Sequence, residues 1–410
     1  MTWLVVVLGL FGLVFLHELG HFTVALAVGI RPRSFYVGFP PAIAKIKRKG
    51  IEYGIGAIPL GGLVRIPGMH RPSPHDLEAF MATALREDPS LVPAVQRVRR
   101  LLEAGDLTGA REALPELQEQ VEHAELSAGA RRAARRALRD VEEGTSTDAY
   151  WSAPTWKRVA VIAAGPLMNI LVAFLIFFAV YATDAPTGNP TTAVASIEAH
   201  TPAAAAGLRS GDRIVAVSGH PTPTFAAVSR EIRSSHAKPI TVTVERGGRR
   251  VTLGPKPTIF LHGKYIWGFS PRFQSVSYSP GKSARLAADD CWRVVTGTAT
   301  ALKGLFSSGQ QRAQISGPVG IVRSSQQALQ IGFNWYLQLL GLISMSLALL
   351  NLLPLLPLDG GHILFSLIES VRRRALAREV YERVSFVGMA LIVILMYIAL
   401  HNDVTGGGPR

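Results

Sequence analysis

The sequence of 410 residues is long enough for two or three domains, and 48% of its residues are hydrophobic, a share that is high for a soluble protein. The net charge of +14 reflects juxtamembrane arginines and lysines together with general arginine richness, which fits an anionic membrane surface and argues against nucleic acid as a partner. The single cysteine, Cys291, excludes an intramolecular disulfide framework and a thiolate metal site, so we expect a small buried apolar residue there.

The first apolar stretch, Trp3 to Val28, is long enough to cross a bilayer and contains LVFLHELGHFTVA at residues 13–25. A cleavable signal peptide is the rival interpretation. The start MTWLVVVLGL has no basic region, however, and no small-residue cleavage site follows before HELGH. Residues 1–30 are therefore predicted to form transmembrane helix 1.

Within this helix the motif HExxH indicates a zinc site. His17 and His21 lie four residues apart, so both project from one helix face and can bind one metal ion, while Glu18 can act as a general base on the attacking water. A charged carboxylate at mid-bilayer costs about 2.5 to 3.5 kcal/mol on insertion scales, so such a residue is expected to face a bundle interior and to carry function. The alternative is that the three side chains satisfy one another without a metal.

Two segments that do not span the membrane follow the first span. Residues 31–70 alternate apolar and polar side chains around Lys49-Gly50, which predicts a β-hairpin and then a Gly-rich turn. Residues 71–150 carry apolar positions at helical spacing and predict a helical insert of three or four helices, with a turn at Gly105-Asp106. Its segment LLEAGDLTGAREAL is similar to a tetratricopeptide-type hairpin, which would make the insert a partner-binding module; a solvated helical bundle is the favoured alternative.

Three further apolar stretches are long enough to span a membrane. They run from Val159 to Ala182, from Trp335 to Leu358 and from Val384 to Leu400, within predicted segments 155–183, 333–370 and 384–401. Basic residues follow the first span, precede the second and separate the third from the fourth. The positive-inside rule then predicts that these loops are cytoplasmic, and that both termini and the region between spans two and three lie outside.

The outside region is predicted to be a β-rich domain. Residues 190–275 include TPAAAAGLRSGDRIVAVSGHPT and ITVTVERGGRRVTL, which predict short strands and a hairpin closed at Gly247-Gly248. The layout resembles a PDZ domain, which captures extended peptide by strand addition. A spacer domain that only excludes large substrates is an equal alternative. Residues 280–332 are predicted to hold a juxtamembrane amphipathic helix followed by ISGPVGIV.

A catalytic zinc needs a third protein ligand and an open position for water. The soluble metzincin pattern is excluded, because Val24 and Ala27 stand where it requires Gly and His. Glu52 could complete a thermolysin-like site but lies in the predicted hairpin. Asp359 is the better candidate, because it follows two prolines in NLLPLLPLDGGH, and irregular backbone at membrane depth is tolerated only where it lines an enclosed or wet cavity.

Together these motifs carry a family resemblance. HELGH, GFPP, YGIGAIPLGG, AGPLMN, the PDZ-like region, ISGP and NLLPLLPLDGGH occur in one order along the chain. The chain resembles the site-2 protease family, specifically the bacterial RseP-type intramembrane metalloproteases. The resemblance covers nearly the whole chain apart from the helical insert, and its single PDZ-like domain contrasts with two in some relatives.

The resemblance implies a polytopic α-helical membrane protein with four transmembrane helices, a re-entrant β-hairpin, a cytoplasmic α-helical insert and an extracytoplasmic PDZ-like α/β domain. It implies Zn2+ bound by His17, His21 and Asp359, with Glu18 as the general base. Asn351 matches an asparagine that holds substrate backbone.

Two more polar residues are assigned roles. Asn169 matches a polar position of the family's second span, and we include it among the substrate-binding residues. His362 is expected to have a structural role beside the metal, because a fourth protein ligand would exclude water from the metal.

The expected function is an intramembrane zinc metalloendopeptidase of the bacterial inner membrane. It would hydrolyse transmembrane segments of single-span proteins, such as anti-sigma factors or remnant signal peptides. The expected partners are these substrates, the lipid bilayer, a peptide or protein at the PDZ-like domain and a cytoplasmic partner of the insert. A catalytically silent PDZ-bearing membrane adaptor is the alternative, which the intact HELGH and LDG motifs oppose. A metal transporter would require more intramembrane acids.

Overall fold

A computed structural model describes residues 2–261, 263–307, 317–374, 376 and 378–405. Ile315 and Ser316 of the predicted ISGP segment lie outside the described residues. The chain divides into two compact units: unit I comprises residues 10–170 and 347–395, and unit II comprises residues 1–9, 171–346 and 396–410.

The described residues form thirteen α-helices and ten strands. The helices are α1 (Thr2–Ala27), α2 (Pro74–Glu87), α3 (Val92–Glu103), α4 (Leu107–His123), α5 (Ala128–Gly144), α6 (Thr155–Thr183), α7 (Pro202–Ala205), α8 (Phe225–Ser234), α9 (Pro280–Ser307), α10 (Pro318–Ile331), α11 (Phe333–Asn351), α12 (Asp359–Arg372) and α13 (Arg378–Thr405). The strands are β1 (Ser34–Arg48), β2 (Ile51–Arg65), β3 (Ala185–Ile197), β4 (Arg213–Val217), β5 (His220–Pro221), β6 (Pro239–Arg246), β7 (Arg249–Pro257), β8 (Ile259–Leu261), β9 (Lys264–Ile266) and β10 (Phe269–Val276).

Four of these helices, α1, α6, α11 and α13, are long and apolar enough to cross a membrane, as the sequence predicted. The third span ends at Asn351, seven residues before the predicted Leu358, because Pro354 and Pro357 cannot donate the backbone hydrogen bonds that would continue the helix. The fourth is longer than the predicted segment 384–401 at both ends.

In unit I, β1 and β2 form the antiparallel hairpin, with Arg48 opposite Ile51 and Lys47 opposite Glu52. The two residues of the turn, Lys49 and Gly50, have φ angles of 50° and 82°. Positive φ at both central residues is typical of a type I′ turn, whose twist matches that of the strands. The hairpin is therefore closed at the dipeptide where the alternation of the sequence placed its turn.

The helical insert of unit I is a four-helix bundle, α2 to α5, with its own hydrophobic core. Ser73, Asp106 and Ser127 cap three of its helices by accepting hydrogen bonds from backbone N–H groups of the first turn. The core contains every apolar position that defined the helical spacing in the sequence: Leu91, Val95, Val98, Leu102, Leu114, Leu117 and Val121.

The two ends of the insert lie side by side. The backbone N–H of Tyr150 donates to the Pro67 carbonyl at 3.0 Å, and that of Trp151 donates to Gly68 at the same distance. Arg65 at the end of β2 also pairs with Glu143 of α5, Nη2 to Oε1, at 2.7 Å. The bundle is therefore attached to the end of the hairpin at both its entry and its exit.

Unit II holds an antiparallel sheet of order β10-β3-β4-β6-β7, with β5 beside β4. The helix α8 covers a core that includes Trp267 and the inward residues of β4 and β6. Gly247 and Gly248 close the β6–β7 hairpin with φ angles of 56° and 78°. The amphipathic helix predicted within residues 280–332 runs from Pro280 to Ser307.

Candidate metal centre

Three side chains of unit I converge on one point. His17 and His21 lie one turn apart on α1, and Asp359 is the first residue of α12. The two Nε2 atoms are 3.2 Å apart, and Asp359 Oδ2 lies 3.3 Å from His17 Nε2 and 3.5 Å from His21 Nε2. Among the residues that the structure describes, these three form the group that could hold a metal ion.

The three distances fit a tetrahedral zinc ion. Ligand atoms at about 2.0 to 2.1 Å from a tetrahedral metal are separated from one another by roughly 3.3 Å. Asp359 Oδ2 is buried and has no hydrogen-bond partner within the described chain. A buried carboxylate oxygen without a partner is costly, and a cation between it and the imidazoles would satisfy it. The donor set of two nitrogens and one oxygen leaves a fourth position open, as a catalytic zinc requires.

Irregular backbone places Asp359 at this point. α11 ends at Asn351, and α12 begins at Asp359 after a segment with two prolines. The segment folds tightly against the start of α12: a Cβ on Gly360 would lie 2.2 Å from the Leu352 carbonyl oxygen. The glycine after the aspartate therefore allows the new helix to start beside the end of the previous one.

Helix α6 fixes the orientation of both imidazoles. His21 Nδ1 lies 2.8 Å from the Val161 carbonyl oxygen, so Nδ1 carries the proton and donates it, and the lone pair is on Nε2. His17 Nδ1 lies 3.3 Å from Nδ2 of Asn169, so the amide as placed would donate to this ring nitrogen. An asparagine amide can present its oxygen or its nitrogen, and the oxygen orientation makes Nδ1 of His17 the donor as well. Both Nε2 atoms then face the centre.

A glycine makes this close approach possible. A Cβ on Gly165 would lie 2.2 Å from His21 Nε2 and 2.8 Å from His17 Cε1. No side chain fits at such distances, so α6 passes the histidines with bare backbone. This glycine lies between Val161 and Asn169, the two residues whose polar groups contact the rings.

Glu18 lies against strand β2. A Cβ on Gly62 would lie 2.3 Å from Glu18 Cγ, so the strand passes the glutamate at backbone distance. A cavity of about 670 Å³ extends from this contact past the metal ligands, and its lining includes residues 61–66 of β2 and its end. Glu18 and the end of β2 therefore line the same cavity as the candidate ligands.

The other residues singled out in the sequence take different places. Asn351 and His362 line the same cavity, and His362 is outside the three-residue group. Asn169 is fully buried beside His17, which favours a role in orienting that ring. Glu52 lies on the hairpin, where its carboxylate accepts hydrogen bonds from Tyr36 and Lys45, and it does not join the group.

The sequence did not predict three groups that position the candidate metal centre. The Val161 carbonyl is a backbone group, so the residue type at this position does not indicate its role. Gly165 and Gly62 occur within AGPLMN and YGIGAIPLGG, which marked the family resemblance without a stated physical role. A glycine inside an apolar helix was the available signal, because such a glycine often marks close approach of another backbone.

The chain is similar to known zinc metalloproteases. The model of peptidase family M50 matches residues 5–395. The chain is 31% identical over 410 residues to a putative zinc metalloprotease of Agrobacterium fabrum, covering 96% of this chain and 93% of that protein. It is 29% identical to the zinc metalloprotease RasP of Geobacillus kaustophilus and 28% identical to the regulator of sigma-W protease RasP of Bacillus subtilis, covering 96% of this chain and 95% of each relative.

Proposed function

Because the chain belongs to peptidase family M50, the site-2 protease family of zinc metalloproteases, we propose that it hydrolyses peptide bonds inside transmembrane segments of single-span membrane proteins. It is a zinc metalloprotease with four apolar helices, and its relatives support a part in regulated intramembrane proteolysis. The observation that carries the proposal is the convergence of His17, His21 and Asp359 beside Glu18 in one cavity between apolar helices.

His17, His21 and Asp359 would hold the zinc ion, which, when bound, supplies Lewis-acid polarisation of the scissile carbonyl and acidifies a water molecule. Glu18 is the general base: its carboxylate accepts a proton from the attacking water and then donates it to the nitrogen of the leaving amine. The side-chain amide of Asn351 has donors and an acceptor that suit the backbone of a bound substrate. The Val161 carbonyl keeps His21 in the required tautomer, and Asn169 would do the same for His17 with its amide oxygen turned toward Nδ1.

The substrate is proposed to bind as an extended strand. A helical substrate buries its carbonyls in i to i+4 hydrogen bonds, so the segment around the scissile bond must unwind before attack. β2 passes Glu18 at backbone distance, and strand addition to its edge would hold the unwound segment next to the base. Residues with weak helix propensity near the scissile bond would therefore favour cleavage.

The proposed setting is the bacterial inner membrane, with the hairpin re-entrant and the helical insert cytoplasmic. Arginines and lysines cluster beside the start of α6 and between α12 and α13, which supports termini on the outer side. The sheet of unit II would then be an outer PDZ-like domain that binds peptide or excludes large proteins. Anti-sigma factors are proposed substrates, and the name of the Bacillus subtilis relative, a regulator of sigma-W protease, supports them. Remnant signal peptides are a second proposed group.

The proposal is tested with purified protein and its Glu18→Gln variant. Both are expected to bind one zinc ion, because glutamine leaves the three ligands in place. Only the unaltered protein is expected to cut a transmembrane peptide that carries helix-breaking residues, with loss of more than about a hundredfold in the variant, the usual range for removal of a general base. Cleavage at the same rate by both proteins would refute the proposed role, and zinc-free protein without cleavage would favour a membrane adaptor.

A further inference from the structure

Unit I contains a second cavity, of about 510 Å³, which the catalytic proposal does not use. It lies between the start of α6, the end of α12 and the start of α13. Four arginines line it, Arg71, Arg158, Arg373 and Arg374, against one carboxylate, Glu369. With histidine counted as neutral, the cavity carries three net positive charges.

The single carboxylate is already engaged on both oxygens. Glu369 Oε2 accepts a hydrogen bond from Arg158 Nη2 at 2.5 Å. Its Oε1 accepts from the Leu376 backbone N–H at 2.9 Å and from the Tyr381 hydroxyl at 3.3 Å. Glu369 therefore offsets Arg158, while the charges of the other three arginines are not matched by a carboxylate in the lining of the cavity.

The buried arginine retains a donor without an acceptor. Arg158 is only 7% exposed, and its Nε has no hydrogen-bond partner among the described residues. Its Nη2 is used by Glu369 and by Ser366 Oγ at 2.9 Å. A charged donor left unpaired in a buried position is costly. Because Arg158 lines the cavity, an acceptor that enters it would approach this guanidinium.

The cavity would lie at headgroup depth if α6 and α13 span the membrane. The apolar spans of α6 and α13 begin at Thr155 and at Glu379, and the cavity lies at these two helix ends. Thr155 contributes the positive end of the α6 dipole, where backbone N–H groups favour an anion. Trp151 also lines the cavity, with the Arg71 guanidinium 5.6 Å from its ring, and tryptophan is enriched at membrane interfaces.

We propose that this cavity binds the phosphate group of an anionic phospholipid. A phosphate oxygen accepts from planar guanidinium groups in paired geometry, which suits a site built from arginines. The phosphate would neutralise the excess charge and provide acceptors where Arg158 lacks one. The site is separate from the residues proposed for catalysis, so its occupancy can be measured without any proteolytic assay.

The test uses the full-length protein in detergent, titrated with short-chain phosphatidylglycerol and read by native mass spectrometry. Parallel titrations use phosphatidylcholine and inorganic phosphate. The variant is Arg373→Gln, and the matched control is Arg372→Gln, an exposed neighbour of equal charge that does not line the cavity. Each arginine near an anionic lipid contributes about 1 kcal/mol, which corresponds to about a fivefold change in affinity.

We expect phosphatidylglycerol to bind the unaltered protein and the Arg372→Gln variant equally, and to bind Arg373→Gln about fivefold more weakly. A double variant with Arg374→Gln should lose roughly 25-fold, and both variants should keep their zinc, which shows that they are folded. Equal weakening in Arg372→Gln would overturn the proposal in favour of general charge attraction. Displacement of the lipid by millimolar inorganic phosphate would overturn the lipid as the source of the phosphate.

Discussion

Because Gly165 has no side chain, α6 passes close enough to His17 and His21 to orient both imidazoles. The carbonyl of Val161 and the amide of Asn169 lie on either side of it along the helix and contact His21 and His17. A metal-binding histidine is useful only in the tautomer that leaves its metal-facing nitrogen unprotonated. We therefore expect residues of α6 that are not candidate ligands to influence zinc binding by the α1 motif.

Replacing Gly165 with alanine should abolish zinc binding. The new methyl group would lie 2.2 Å from His21 Nε2, which forces the ring away from the centre. We expect zinc content, measured by mass spectrometry of the metal, to fall at least tenfold. The matched control is Gly12→Ala on α1, where a Cβ meets nothing within 4 Å. Full zinc content in Gly165→Ala would show that the two imidazoles can move without loss of zinc binding, which would contradict the prediction.

Asn169 gives a second prediction at this scale. Asn169→Leu removes the group beside His17 Nδ1 and should weaken zinc binding by about 10- to 100-fold, the usual cost of losing such a partner. Asn169→Asp keeps an acceptor and should restore most of the affinity. Competition with a chelator of known affinity measures both. If Asn169→Leu raised KM for a peptide substrate and left zinc affinity unchanged, the substrate-binding role predicted from the sequence would be supported instead.

At the scale of elements, interruptions of regular structure position the chemistry. α11 stops at Asn351 and α12 starts at Asp359, so a polar residue at each end lines one cavity. A continuous helix would carry these two residues on different turns, about 12 Å apart along its axis. The break therefore brings a candidate ligand and a candidate substrate contact to the same cavity.

The helical insert is predicted to be dispensable for metal binding. Its ends touch, since a Cβ on Gly144 would lie 2.7 Å from Pro72 Cδ, and its core is its own. Replacing residues 75–142 by a short Gly-Ser linker keeps the Arg65–Glu143 pair and should leave zinc content unchanged, because surface insertions are tolerated when their ends are close. Loss of zinc in this variant would show that the bundle supports the centre.

The sheet of unit II contains a buried ion pair that predicts acid sensitivity. Asp212 is 1% exposed. Its burial alone would raise its pKa, but hydrogen bonds from Arg246 and from the Arg209 N–H outweigh burial, so the folded-state pKa of Asp212 is lowered. A lowered carboxyl pKa gives stability that is present above the unfolded value, about 3.9, and is lost as pH falls through the folded value.

Asp212→Asn should therefore destabilise this sheet by about 1.5 to 3 kcal/mol at neutral pH, the range for hydrogen bonds to charged groups, with a smaller difference below pH 4. Hydrogen exchange of β4 and β6 in the full protein measures the effect. The matched control is Glu245→Gln, which breaks the more exposed pair with Arg213 in the same strands and should cost less than about 1 kcal/mol. Equal effects of both variants would contradict the role of burial.

At the scale of the whole molecule, the metal should stabilise unit I, because its ligands come from nearly opposite ends of the chain. A ligand present at about a thousand times its dissociation constant stabilises the folded state by about 4 kcal/mol. Chelation should then lower the unfolding midpoint of the detergent-solubilised protein by roughly 10 °C. The His21→Ala variant should have the lower unfolding midpoint even before the chelator is added. The chelator should not lower that midpoint further. A shift of the same size in that variant would point to another metal.

Local patterns were enough to predict much of this architecture. The spacing of His17 and His21 follows from helix periodicity, and the turn at Lys49-Gly50 follows from strand alternation and residue type. Apolar length predicted the four spans, but not where the third one stops. Asp359 lies far from α1 in the sequence, and no local periodicity predicts a contact between them. The family resemblance and the prolines before Asp359 predicted this contact instead.

The distance in sequence between the candidate ligands has a consequence for biosynthesis. A ribosome delivers the two histidines more than 300 residues before the aspartate. With Asp359 as the third ligand, a nascent chain that lacked it would have an incomplete catalytic apparatus and could not cut its neighbours. The late synthesis of this ligand would then act as a safeguard, which a protease whose catalytic groups all lie in one short stretch would lack.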